Sequence, residues 1–354
     1  MRDISEIDKN FKLQTSIDKK DIKFVNALDA PISLHGVFYE NGAFRRMPES
    51  VAKSVSEGVY WLHTNCAGGR VRFKTDSPYV AVVCKMGAVG RMPHFALTGS
   101  AGFDLYERED NGEIYVASFI PNFVGENGYE RVVELGTRRL RELTVNFPLY
   151  SDVKEMYIGI SEDAVLDSPS EYKIQKPVVF YGSSITQGGC ASRPGNSYQS
   201  ILSRRFDFDY INLGFSGNAR AEDTMIEYVK GLDMSLFVYD YDHNAPTVEH
   251  LEATHEKMFL AVREHHPDMP IIMMPRPKFR TTDEEKKRLK IVEATYNNAI
   301  NRGDKNVYFI SGVELMALAG NDGTVDNCHP NDFGFASMAK AVGALIESEN
   351  LFKA

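Results

Sequence analysis

Apolar and polar residues alternate with two different periods along this chain, and the change falls near residue 165. Upstream of it, "VRFKTDSPYVAVVCKM", "GEIYVASFI", "YERVVELG", "RELTVNF" and "EMYIGI" are short runs rich in β-branched and aromatic residues. Several alternate at period two, as half-buried strands do. Turn signals at Asp76-Ser77-Pro78 and Asn111-Gly112 separate them. Long helical patterns are scarce between Lys23 and Ile160. Many short antiparallel strands predict a β-sandwich of jelly-roll-like form.

A polar, proline-flanked stretch, "SEDAVLDSPSEYKIQKP", then reads as a linker. Beyond it "PVVFYG", "DYINLG", "SLFVYDY", "PIIMMP" and "NVYFI" predict strands, and helical patterns over 197–206, 221–231, 248–266, 283–302 and 331–347 lie between and after them. Strands alternating with helices make a parallel sheet covered on both faces, so this half is α/β. The expected division is an extension over 1–22, a β-sandwich domain over 23–165, a linker over 166–175 and an α/β domain over 176–354. No internal repeat or low-complexity tract interrupts it.

Composition narrows the partners. With 354 residues, 43% apolar and 25% charged, the sequence is of ordinary globular type and long enough for two cores. A net charge of -9 disfavours nucleic acid or an anionic membrane and suits a small-molecule substrate. The first twenty residues hold no apolar core of signal-peptide type, and no stretch approaches the ~20 apolar residues of a membrane span. A cytoplasmic location is therefore expected, with a trimmed secreted chain as the alternative. Cys66, Cys84, Cys190 and Cys328 have no zinc-type spacing and are expected as free thiols.

In an open parallel sheet, ligands bind beyond the carboxyl ends of the strands. There the loops read "GSSITQGG", "GFSGNAR", "DYDHNAP" and, before the last helix, "DGTVDNCHPNDFG". Together they hold the parts for acyl transfer. A serine nucleophile needs a base, for which His329 is the candidate, and the base needs an orienting carboxylate, which Asp326 supplies three residues earlier. A tetrahedral oxyanion needs donors in place, and the Ser184 amide, the Gly217 amide and the Asn244 carboxamide could provide three. Thr186 stands where a G-x-S-x-G elbow would need its last glycine, so the α/β-hydrolase pattern is not met.

Ser, Gly, Asn and His, one per block in that chain order, resemble the SGNH (GDSL-type) hydrolase superfamily. "GSSI" stands at the place of the G-D-S-L block and makes Ser184 the nucleophile. "FSGN" resembles the block of Gly217, "DYDHN" that of Asn244, and "DNCHP" the D-x-x-H block of Asp326 and His329. "GFDLY" at 102–106, with "MPHFALTGSAGFDLY" and "GGCASRPGNSY", is similar to two-domain bacterial esterases with a GxDLY-type β-domain. The sequence departs from the pattern at Ser183, where aspartate is usual, and at the third block, which lacks the glycine of G-x-N-D.

The resemblance implies a flavodoxin-like three-layer α/β/α domain after the β-sandwich, and a cofactor-independent serine esterase removing short acyl groups. An acetylated oligosaccharide is the expected substrate; a homo-oligomer is left open. A thioesterase or lysophospholipase-like hydrolase and a non-catalytic carbohydrate-binding protein remain alternatives. Gln187, Arg193, His243, Trp61 and Arg276 are candidate substrate contacts, and three of them have a structural reading beside the functional one: Arg193 as a salt-bridge former, Trp61 as core, Arg276 as a charged loop residue. Asn331 and Asp332 are expected to cap the last helix. His63 and His94 are read as β-domain residues outside any metal-like cluster, and no metal site is expected.

Overall fold

The computed structural model describes residues 15–110, 112–122 and 127–352; Asn111, one of the two expected turn residues at that position, lies outside them. Two antiparallel sheets make up most of the first half. One runs in the order Ile22–Asn26, Ser151–Ser161, Tyr79–Val89, Tyr129–Glu134. The other is built on Arg70–Thr75, Arg141–Asn146, Phe103–Glu109 and Gly112–Phe119, with short strands at its edge. Val80, Val82, Met156 and Ile158 of the first share one core with Val71, Phe73, Leu105 and Val145 of the second. Alternate residues of both sheets thus face each other, as in a sandwich.

The second half forms a five-stranded parallel sheet in the order Phe208–Gly214, Ile174–Gly182, Leu236–Asp240, Ile271–Met273, Val307–Phe309. The second strand in sequence is the first in space, which is the flavodoxin-like order and puts a topological switch point beside the first strand. Successive residues alternate between two cores. Val179, Tyr181, Phe237 and Tyr239 face one helical layer, and Val178, Phe180, Leu236 and Val238 face the other. Every residue of Leu236–Asp240 is buried, as in a central parallel strand covered on both sides.

Long helices are scarce in the first half as expected, but short ones occur there, Glu49–Val55 and Glu57–Leu62 among them. These two do not cover the sandwich. Met47, Ala52 and Val59 join the core of the parallel sheet, among Phe215, Met225 and Ile226. Beside them Arg46, 2 % exposed, donates to the carbonyls of Leu62 at 2.7 Å, Gly214 at 2.7 Å and Asn212 at 3.1 Å. The two halves are therefore packed into one body. No helix of the described residues is long and apolar enough to cross a membrane.

Candidate active site

The strand Ile174–Gly182 delivers the chain to a four-residue helix, Ser184–Gln187, at the carboxyl edge of the parallel sheet. Ser183, not Ser184, is the cap: its Oγ accepts from the Ile185 amide at 3.1 Å. Ser184 is thereby released from the capping role that loop serines often fill. Below the turn lies Asp240, which accepts from the Ser183 amide at 3.2 Å and from Thr186 Oγ1 at 2.5 Å. Gly182 makes room for it, because a Cβ there would lie 1.7 Å from Asp240 Oδ1. Burial, reinforced by the charge of Asp242, pushes the Asp240 carboxyl up to about 8 against these two bonds. From the sandwich side, Tyr150 donates its hydroxyl to the Ser184 carbonyl at 3.1 Å.

Ser184 Oγ lies 2.9 Å from His329 Nε2, and His329 Nδ1 lies 2.8 Å from Asp326 Oδ2. Asp326 also accepts from the amides of His329 at 2.7 Å and Cys328 at 3.0 Å. Partial burial opposes its ionisation, but these amides and the imidazole outweigh that and bring it to about 2. An ionised carboxylate only accepts, so the proton sits on Nδ1 and leaves Nε2 free to accept from the serine. The D-x-x-H spacing works because both residues lie in one tight loop, closed by the Val325 amide on the His329 carbonyl at 2.8 Å. Asn331 caps the helix that follows. Asp332 takes no part in that cap. Its carboxylate instead binds the amide and hydroxyl of Ser192 and ties this helix to the loop after Ser184.

Gly217 has φ of +68°, and nothing lies within 4 Å of where a Cβ would stand. Its loop is held by Gln187, whose Oε1 accepts from the Ser216 amide at 3.0 Å, and by Asn244, whose Oδ1 accepts from the Ala219 amide at 3.4 Å. With the oxygen of its carboxamide used, Asn244 keeps Nδ2 without a protein acceptor among the described residues.

The five candidate substrate contacts are treated differently by the structure. Gln187 is fully buried and satisfied, donating also to Asn65 Oδ1 at 3.0 Å and the Leu149 carbonyl at 3.2 Å; it braces the site and does not face a ligand. Arg193 is likewise engaged elsewhere. It pairs with Asp104 at 3.3 Å, bonds the Tyr106 hydroxyl and covers the Tyr115 ring at 3.9 Å, so it ties the "GFDLY" strand to the loop after Ser184. Arg276 pairs with Glu285 at 2.6 Å and lines a cavity of about 240 Å³ with His243 and Asp242. The His243 side chain is 5 % exposed and bonds Asp242 at 2.9 Å. Burial lowers its pKa; Asp242 opposes this, while nearby Arg276 and His329 add to it. Its Nε2 has no partner among the described residues. Trp61, read as core in its structural alternative, is 66 % exposed. It stands one helical turn from Gly58, which touches Asn218 of the glycine loop so closely that a Cβ would lie 2.0 Å from Asn218 Oδ1.

His94 departs most from expectation. Its Nε2 lies 3.9 Å from Asp326 Oδ2, and its ring centroid is 5.7 Å from that of His329. Ligand atoms of His94, Cys190 and His329 all fall within 4.8 Å of one another. Sequence spacing gives no sign of this, since the three residues come from the sandwich, the serine loop and the final loop. A groove of about 1140 Å³ across Tyr39, Lys85, Glu130 and Tyr157 contains none of the site residues.

A flavodoxin-like sheet with a serine turn on its first strand, next to a sandwich fused to its edge, defines a class: esterases and acyl hydrolases of the SGNH type. Residues 175–347 belong to the GDSL-like lipase/acylhydrolase family, whose profile they match. Residues 22–166 match the profile of the GxDLY N-terminus of SGNH-hydro-type esterases. Among solved structures, a GDSL-like lipase from Bacteroides ovatus ATCC 8483 is 29% identical, with 92% of this chain and 97% of that chain covered and a TM-score of 0.82. The salicylyl-acyltransferase of a tetracycline biosynthetic pathway is 17% identical over 94% and 99% of the two chains, with a TM-score of 0.73. A family two carbohydrate esterase from Clostridium thermocellum, solved with cellohexaose, is 15% identical over 90% and 99%, with a TM-score of 0.61. A search of curated proteins finds no match.

Proposed function

We propose that this protein is a serine esterase that removes O-acetyl groups from carbohydrates, with Ser184 as nucleophile, His329 as base and Asp326 as the carboxylate that orients it. The observation that carries the reading is the unbroken bond sequence Ser184 Oγ to His329 Nε2 at 2.9 Å and His329 Nδ1 to Asp326 at 2.8 Å. Ser184 attacks the ester carbonyl as His329 takes its proton. The negative charge on the carbonyl oxygen is met by the amides of Ser184 and Gly217 and by Asn244 Nδ2. The imidazolium, steadied by ionised Asp326, returns the proton to the leaving alcohol, and water resolves the acyl-enzyme by the same steps in reverse. A preorganised donor at this position is worth about 3 kcal/mol of barrier.

Support for sugar as the alcohol is of two kinds. Trp61 presents an exposed ring beside the glycine loop, where an aromatic face could carry a pyranose. Structures of the same fold include a carbohydrate esterase with cellohexaose and an acetyl xylan esterase from Butyrivibrio proteoclasticus, which is 13% identical over 94% of this chain and 100% of that one, with a TM-score of 0.58.

The test is hydrolysis of p-nitrophenyl acetate, butyrate and octanoate by the parent and by Ser184→Ala, followed by acetylated xylan and acetylated cello-oligosaccharides. We expect acetate to be preferred and the variant to lose about 10³-fold or more in kcat. Preference for octanoate would replace this reading with a lipid or thioester hydrolase, and activity surviving in Ser184→Ala would remove Ser184 from its role.

A further inference from the structure

We infer that His94, Cys190 and His329 form a binding site for a thiophilic divalent metal of the zinc type, and that occupying it shuts the catalytic base off. The three residues come from three separate segments, yet one ligand atom from each lies within 4.8 Å of the other two. In a tetrahedral zinc site with nitrogen and sulfur ligands, neighbouring ligand atoms stand about 3.5 Å apart. The set therefore needs to close by about 1 Å. The side chain best able to supply that movement is His94, which is 37% exposed and has no short hydrogen bond among the described residues. Two imidazoles and a thiol favour zinc, cobalt or copper over calcium or magnesium, which prefer oxygen.

Cys190 gives the site its reason. Its backbone is left-handed, with φ of +75°, its side chain is buried, and no hydrogen bond of its thiol is found among the described residues. The nucleophile of the proposed reaction is Ser184, so this thiol has no part in that chemistry. Burial, with the charges of Asp326 and Cys328, holds the free thiol up to about 12. Metal binding would release its proton to solvent and leave a metal–thiolate bond.

His329 is where the metal meets the chemistry. Nε2 accepts from Ser184 and Nδ1 donates to Asp326. A metal on Nε2 removes the proton acceptor of Ser184, and a metal on Nδ1 takes the lone pair there and moves the ring proton to Nε2, which then has no lone pair to accept from Ser184. With either nitrogen bound, the imidazole can no longer serve Ser184 as a base. This consequence rests on the esterase reading; the site itself does not.

The two are separable by experiment. Co²⁺ is titrated into the full chain and the thiolate-to-cobalt charge-transfer band is followed in the near ultraviolet, with Zn²⁺ as competitor. One equivalent should bind with a band that Zn²⁺ abolishes. Cys190→Ser should lose the band, Cys328→Ser should keep it, and His94→Ala should bind at least about tenfold more weakly. In parallel, p-nitrophenyl acetate hydrolysis by the parent should be inhibited by Zn²⁺ and restored by a chelator. His94→Ala, an exposed position whose folding is checked by circular dichroism, should need at least about tenfold more Zn²⁺ for the same inhibition. A Cys190-dependent band in a protein without hydrolase activity would uphold the site and sink the esterase reading. A band that persists in Cys190→Ser, the lack of any band, or equal zinc sensitivity of His94→Ala and parent would overturn the site.

Discussion

A serine hydroxyl is a weak nucleophile at neutral pH, and its neighbours supply the difference. Asn244 is the residue to test beside the serine itself. On the proposed mechanism Asn244→Ala should lower kcat by about 10²–10³-fold with little change in KM, because there the carboxamide acts only once the carbonyl oxygen carries charge. Steady-state kinetics on p-nitrophenyl acetate measures the split; a rise in KM alone would make Asn244 a ground-state contact. Gln187→Ala should lower kcat less, by about tenfold, since it removes a brace from Ser216 and no donor from the reaction. The bonded row of Ser184, His329 and Asp326 is legible in sequence because each residue sits in a short local pattern. Gln187 and Arg193 look like substrate contacts in sequence because their true partners cannot be seen locally. Asn65 is 122 positions from Gln187, and Asp104 is 89 from Arg193. His94 escapes notice for the same reason.

Among the elements, the turn between Ile174–Gly182 and Ser184–Gln187 leans on the end of its neighbour, Leu236–Asp240. Asp240 is the contact, and its raised pKa has a sign. From the ordinary 3.8 up to about 8, the unfolded chain releases a proton that the folded chain keeps. Stability contributed by this group is therefore full below pH 4 and lost as pH rises toward 8. Asp240→Asn imitates the neutral acid, so its stability relative to the parent should rise by about 4 kcal/mol between pH 5 and pH 8. Urea unfolding at the two pH values measures it, and a constant difference would mean the carboxyl ionises normally. The parallel strands are legible as continuous apolar runs bounded by turn residues. The helices Glu49–Val55 and Glu57–Leu62 are not, because seven and six residues are too few to establish a helical period or to be stable without tertiary packing.

For the whole molecule, the two halves are visible in the sequence by their periods, but the manner of their joining is not. Arg46 is one of the buried points of that joining: its guanidinium holds three carbonyls from both halves and covers the Phe215 ring at 4.9 Å. Burial lowers its pKa to about 10, which leaves it charged at neutral pH. Arg46→Met keeps the volume and loses the bonds, leaving buried carbonyls unpaired. It should cost about 3 kcal/mol in urea unfolding. A loss under about 1 kcal/mol would show that water replaces the cation at the junction.

The helix pair at 49–62 also sets an order of events at birth. Its apolar face, with Met47, Ala52 and Val59, is completed by residues as late as Phe259 and Val262. A ribosome adding about 5–20 residues per second takes roughly ten seconds or more to travel from one to the other. Throughout that interval the nascent chain carries an apolar surface whose cover has not yet been made. A chain released early, at residue 170, would hold a finished sandwich with that surface still bare, and should precipitate or be held by chaperones where the full-length chain stays in solution.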